Sequence, residues 1–186
     1  MTYHDVLNKV LDINDVTVGG GSSAALSGAM AAGLIGMVSL LSVGKECGLS
    51  DDRYRKIAEQ CGTLRDSLLQ GCVDDAAAYR QIVDAYKLPK GTDEEKAVRR
   101  AAIQAAGIAA AATPRDNGRH CKTVHVLGCE LWEKSNQNAS SDLMYGIGLS
   151  KLGVEGCIAN IEANLPLIKD EAVKAQFDAD MKELRE

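Results

Sequence analysis

The stretch GGGSSAALSGAMAAGLIGMVSLLSVGK, Gly19–Lys45, decides the fold. Three glycines run into two serines and then into small and aliphatic residues, with no charge until Lys45. The glycines break the preceding segment, and Ser22 or Ser23 can cap a helix that starts beyond them. The helix is long enough to span a bilayer. Its Gly, Ala and Ser content gives only modest hydrophobicity, however, and its flanks carry neither an aromatic belt nor a cluster of Lys and Arg. A core helix, buried on all sides and lying near a subunit interface, fits better than a membrane span. Gly28, Ala32 and Gly36 stand four apart on one face, where a second helix backbone can approach closely. The glycine run is not a Walker loop, because no Gly-Lys-Ser/Thr follows and no strand precedes it. It offers unpaired N–H groups and little side-chain bulk at a helix N-terminus. Its bland reading is a tight entry into a crowded helix.

The rest of the chain follows the same helical logic. Val6, Leu7, Val10 and Leu11 give residues 2–13 an apolar helical face. Ser50-Asp51-Asp52 opens a long helix over 51–86 with an apolar stripe from Ile57 to Val83. Leu88-Pro89-Lys90-Gly91 makes a turn, and Thr92 with Glu95 forms a capping box for a helix to about Lys134, predicted to be interrupted or kinked at Pro114. Residues 141–165 and 170–185 read as two more helices. Nothing alternates with period two. The predicted architecture is all-α, an antiparallel up-and-down bundle of about six helices in a single domain over 1–186.

Composition narrows the function. The 186 residues are 46% hydrophobic but only 4% aromatic, which suits closely packed helices. A net charge of -5 with mixed signs argues against nucleic acid as a partner. The six cysteines contain no C-x-x-C pair. No basic segment leads into a short apolar core at the start, so free thiols in a cytoplasmic setting are expected. Cys121, His125 and Cys129 share a helix face. Ligands at that spacing span about 12 Å along the axis, too far for one metal ion, so no metal is expected. Buried thiols and a hydrogen-bonded histidine are the plainer reading.

Polar groups interrupt the apolar bundle in three places. Asn136, Gln137, Asn138, Ser140, Ser141 and Asp142 precede one helix, where Ser141 or Asp142 is equally a cap. Asn160 and Asn164 lie one turn apart among Cys157, Ile158, Ile161 and Leu165. Asp74 and Asp75 sit mid-helix beside Cys72, Val73 and Ala76. Buried amides and carboxylates need partners, and convergent polar groups in a helical core are how bundles build ligand sites.

Taken together, these segments resemble the formiminotetrahydrofolate cyclodeaminases and the related methenyltetrahydrofolate cyclohydrolases. The matching pieces are Gly19-Gly20-Gly21-Ser22 with the small-residue helix, Gly44-Lys45 at its end, Asp75-Ala76-x-Ala78-Tyr79, and Leu88-Pro89-Lys90-x-Thr92-x-Glu94-Glu95-Lys96. Asn136-x-Asn138-Ala139-x-Ser141-Asp142-Leu143 and Asn160-x-x-x-Asn164-Leu165 complete the set, in the family's order and spacing. Departures are Val18 in place of a proline, Val43 in place of an aromatic residue, and Val73 where the first of two aspartates is usual. Residues after Lys45 also differ from the basic and aromatic ones expected.

The resemblance implies a homodimer that takes a tetrahydrofolate derivative as substrate near its interface, without metal, nucleic acid or membrane. Cyclodeamination of 5-formiminotetrahydrofolate to 5,10-methenyltetrahydrofolate and ammonia is the leading expectation. Cyclohydrolysis of the methenyl compound, or folate binding without catalysis, are the alternatives. Such chemistry moves protons at nitrogen and needs a carboxylate tuned by burial. Asp142 is the first expectation for acid/base, Asp75 the second, and Lys45 an anion-holding group. Asn138, Ser141, Asn160 and Asn164 are expected to hold the pterin or orient the aspartate, and the turn of Gly19, Gly20, Gly21 and Ser22 to bind the folate by admitting its flat ring close to backbone.

Overall fold

The computed structural model describes residues 1–186, all in helices or their connections: α1 (Tyr3–Leu11), α2 (Gly20–Ser42), α3 (Asp51–Lys87), α4 (Asp93–Leu131), α5 (Ser140–Asn164) and α6 (Glu171–Arg185), with short 3-10 turns at Gln137–Ala139 and Leu165–Leu167. There are no strands. Side chains set the helix starts. Ser50 Oγ accepts the Arg53 N–H, and Asp170 accepts the N–H groups of Ala172 and Val173. The capping box at Thr92 is complete: Thr92 Oγ1 accepts from Glu95 N, and Glu95 Oε2 accepts from Thr92 N, each at 3.1 Å.

α2 is the central element, packed against α3, α4 and α5. Its length and apolar composition would suffice to cross a membrane. Here most of it is buried by its neighbours, as a core helix is, but not on all sides as expected: Met30, Met37, Leu40 and Leu41 stay exposed, because no helix of the chain covers that side. The small-residue row does what its spacing predicts. Gly28 lies against Cys121 of α4 and Leu68 of α3, and Gly36 against Cys61 of α3. Ser39 Oγ donates to the Tyr54 carbonyl at the start of α3, while Ser22 at the other end of α2 reaches Asp75, far along α3. Likewise Gly146 of α5 meets Ile35 late in α2, and Gly153 meets Ala24 near its start.

The main core joins Ile35, Val38, Tyr54, Ile57, Leu68, Val124, Leu131 and Leu143. A second cluster of Ile158, Ile161, Ile168, Phe177, Met181 and Leu184 seats α6. There the buried Asp180 carboxylate accepts from Arg119 Nη2 at 3.0 Å.

The interruption expected as one outcome at Pro114 does not occur. α4 runs through it without interruption. Proline lacks the N–H that would bond the carbonyl four residues back, Ala110. Asn164 Nδ2 donates to that carbonyl instead, at 3.0 Å. A side chain from α5 thus restores the partner that the ring removes.

Candidate functional site

A hollow of about 190 Å³ opens where the glycine turn enters α2. Val16, Thr17, Val18 and Gly19–Gly21 form one wall, Asp75, Ala76, Tyr79 and Ile82 of α3 the second, and Asn160, Ala163 and Asn164 of α5 the third. Ala110 of α4 closes the floor. Mixed polar and apolar walls at a junction of helices are what a small-molecule site in a bundle requires.

Asp75 is its one ionisable acid. Ser22 Oγ, itself fully buried, lies 2.8 Å from Asp75 Oδ2 and 3.0 Å from the Cys72 carbonyl. Burial raises the Asp75 carboxyl above its ordinary value, while the hydroxyl and the backbone N–H of Ser22 pull the other way. The α2 N-terminus has no capping side chain of its own. Asp75 therefore supplies negative charge to that helix pole from across the bundle. Gly21 makes the approach possible, because a Cβ there would overlap Asp75 Oδ1. Burial, with help from the Asp75 and Asp74 charges, pushes the neighbouring Cys72 thiol up to about 11, so it stays neutral.

Asn160 and Asn164 form a linked pair. Asn164 Nδ2 donates to Ala110 O, to Asn160 O at 2.9 Å and to Asn160 Oδ1 at 3.3 Å. Its amide hydrogens are thus committed to the fold, which leaves its Oδ1 for a ligand. Asn160 Nδ2 faces Gly20, 3.9 Å from where a Cβ would stand there, and carries donors for a bound molecule. Ser22, by contrast, is turned toward Asp75 and Cys72 and has no surface to offer a ligand.

The structure does not bring Asp142, Lys45, Asn138 and Ser141 to this hollow within the chain. They sit at the far end of α2. Asn136 N–H donates to Ser42 Oγ at 2.9 Å and its Nδ2 to the Leu41 carbonyl at 3.2 Å, which fixes the 136–142 segment beside the α2 C-terminus. Lys45, Asn138 and Ser141 are exposed, and Asp142 is half-buried in the first turn of α5. With 23 residues in α2, the two groups lie about 34 Å apart along its axis. Sequence spacing gave no sign of Ser22 as a partner for Asp75, or of the Thr17 and Ile82 walls, whereas Tyr79 stood in the segment with Asp75 that carries the resemblance. The Cys121–His125–Cys129 stripe also differs from expectation: Cys121 is buried, but Cys129 is exposed.

The fold and this hollow define a class first: an all-helical domain whose half-buried carboxylate, bonded to the first turn of a central helix, shares a hollow with two asparagines. The chain belongs to the formiminotransferase-cyclodeaminase family, whose model matches residues 3–183. It is 36% identical over 157 residues to the methenyltetrahydrofolate cyclohydrolase of Methylorubrum extorquens, covering 84% of this chain and 76% of that one. It is 32% identical over 159 residues to the pig formimidoyltransferase-cyclodeaminase, of which it spans 29%. Its fold matches a crystal structure of formiminotetrahydrofolate cyclodeaminase from Thermotoga maritima with a TM-score of 0.84 at 24% identity, over 100% of this chain and 88% of that one.

Proposed function

We propose that this chain is a tetrahydrofolate one-carbon enzyme that works by acid/base catalysis at the carbon bridging N5 and N10, with Asp75 as the proton carrier. The half-buried Asp75 carboxyl beside Ser22 carries the proposal. In cyclodeamination N10 attacks the formimino carbon, and Asp75 takes the N10 proton and returns one to the departing ammonia. In cyclohydrolysis Asp75 takes a proton from the attacking water and returns it to the nitrogen that leaves. Both steps need one group to accept and then donate, and a carboxyl raised toward neutrality by burial does both.

Ser22 suits either state of the acid. Its hydroxyl has one proton and two acceptors in reach. It donates to Asp75 when the carboxyl is charged. It turns to the Cys72 carbonyl when Asp75 is protonated, and its oxygen then accepts from the acid. Asn160 Nδ2 and Asn164 Oδ1 offer a donor and an acceptor to the edge of a flat heterocycle.

Hydrolysis is favoured by one specific observation: the similarity to the Methylorubrum cyclohydrolase extends over three-quarters of that protein. The purified protein is to be incubated with 5-formiminotetrahydrofolate and with 5,10-methenyltetrahydrofolate while methenyl absorbance is followed. Growth above a no-protein control reports cyclodeamination, accelerated loss reports hydrolysis, and no change in either leaves only a folate-binding module.

A homodimer accounts for the remaining polar set. The contacts between opposite ends of α2 and its neighbours support an up-and-down, antiparallel bundle, and α2 leaves Met30, Met37, Leu40 and Leu41 exposed in a row at helical spacing. Tyr145 and Leu152 of α5 are exposed as well. Such a row is a natural self-association face. If two copies pair it head to tail, the start of one α2 lies beside the end of the other. The Asp142, Lys45, Asn138 and Ser141 cluster of one subunit then borders the Asp75 hollow of its mate.

A further inference from the structure

Away from the Asp75 hollow, a second group of side chains is arranged for chemistry. Cys129, exposed on α4, has its Sγ 3.5 Å from Nε2 of His125, one turn earlier. The other ring nitrogen, Nδ1, lies 3.1 Å from Oγ of Ser150 on α5. Ser150 is fully buried and donates its only hydroxyl proton to the Ile147 carbonyl at 2.8 Å. Its oxygen is therefore an acceptor toward His125, which places the imidazole proton on Nδ1. Nε2 is left with a free lone pair facing the thiol. This is the order of a nucleophile, a base and a group that orients the base.

The surroundings select what the thiol meets. Cys129, Trp132, Met144, Ile147 and Gly148 line an apolar hollow of about 470 Å³ between α4 and α5. It is lined by none of the exposed α2 row. The pair works by proton transfer during attack, because Nε2 faces the thiol and can take its proton as the sulfur forms its new bond.

We propose that Cys129, His125 and Ser150 form a base-assisted thiol that undergoes exchange with disulfides carrying an apolar or aromatic group, which the Trp132–Met144 hollow receives. Cys129 Sγ attacks one sulfur of the disulfide RS–SR. The Cys129–SR bond forms, the S–S bond breaks, and the thiol proton passes to His125 Nε2 and then to the departing RS⁻. The Cys129 thiol is oxidised to a mixed disulfide, and half of the reagent is reduced to RSH.

The test uses the intact protein and 4,4′-dithiodipyridine, a neutral aromatic disulfide, with labelled positions followed by mass spectrometry of digests. Cys47 is the comparator: it is half-buried, and its Sγ contacts only the Lys45 carbonyl, at 3.5 Å. Cys61, Cys72, Cys121 and Cys157 are buried and report on folding in the same sample. Cys129 is expected to react at least about 100-fold faster than Cys47, the lower end of the range that general-base assistance supplies. His125→Asn is expected to bring the two rates together while the four buried thiols stay protected. If that variant exposes the buried thiols, His125→Gln is read in the same way, and the wild-type ratio stands as a criterion by itself. A wild-type Cys129 no faster than Cys47, or an unchanged Cys129 rate in a folded His125 variant, overturns the assignment. Cystamine, charged and without a ring, is expected to show a smaller Cys129 preference; an equal preference for both reagents overturns the role of the apolar hollow.

Discussion

Asn164 donates through Nδ2 to the carbonyl of Ala110 at 3.0 Å, the carbonyl that Pro114 leaves without a helical partner. Ala110 is almost fully buried, so its carbonyl depends on that amide for a partner. Asn164→Ala is expected to cost about 1–3 kcal/mol in denaturant unfolding, the penalty of stranding a buried polar group. In a Pro114→Ala background the restored N–H takes over the carbonyl. The cost of Asn164→Ala should shrink there by at least about 0.5 kcal/mol, a coupling a double-mutant cycle reads. Equal costs in both backgrounds would show that the amide does not serve the proline.

Asp75 should weaken the fold for which it supplies chemistry. Its folded carboxyl lies above the ordinary value of 3.8, with burial the leading cause. Between the unfolded and folded values the native state holds more protons than the unfolded chain. Stability is then highest below the unfolded value, and its Asp75 share is lost as pH rises through the folded one. Asp75→Asn should therefore match or exceed the wild type in stability at pH 7 and flatten this part of the stability–pH curve. Turnover should fall at least about 100-fold. Thermal melts across pH, with activity assays on the same samples, check both; an Asp75→Asn protein that turns over normally removes Asp75 from the mechanism.

The sequence made α2 legible because a long run without charge belongs in a core, although it did not show that Met30, Met37, Leu40 and Leu41 stay exposed on one side; it made the start of α4 legible because Thr92 and Glu95 satisfy each other locally. Asp75, Asn160 and Asn164 stood out as polar groups on apolar helical faces, and they line one hollow with the glycine turn. What stayed hidden depends on distances along the bundle. Periodicity shows which face a residue takes but not its height, so nothing in the spacing placed Asp142 a helix length away from Asp75. Pro114 reads as a break because its rescuer, Asn164, is 50 residues further on. The four-residue spacing aligned Cys129 with buried Cys121 but left its depth undetermined.

Gly21 tests how closely Asp75 must approach α2. A Cβ at position 21 overlaps the Asp75 carboxylate, whereas one at Gly20 meets only Asn160 Nδ2, at an ordinary 3.9 Å. Gly21→Ala should displace the carboxylate and lower kcat at least about tenfold, even though alanine is the better helix former by about 1 kcal/mol. Gly20→Ala should lower kcat less and act mainly on KM. The reverse ranking in steady-state kinetics would place the reacting carbon nearer Gly20 than Asp75.

The two polar clusters at opposite ends of α2 make a prediction only a shared site can satisfy. Asp75→Asn and Asp142→Asn should each abolish turnover if both carboxylates serve one reaction. In a head-to-tail dimer each site takes Asp75 from one subunit and Asp142 from the other. A hybrid of the two variants then has one site with both defects and one with neither. Mixing the inactive proteins under conditions that allow subunit exchange should restore activity, up to about a quarter of the wild type for random pairing in equal amounts, since half the dimers are hybrids and each has one intact site. Met37→Glu on the α2 row should block both dimerisation, read by light scattering, and this complementation. A dimeric Asp142→Asn protein with full activity, or no recovery after verified exchange, would place the whole reaction inside one subunit at Asp75.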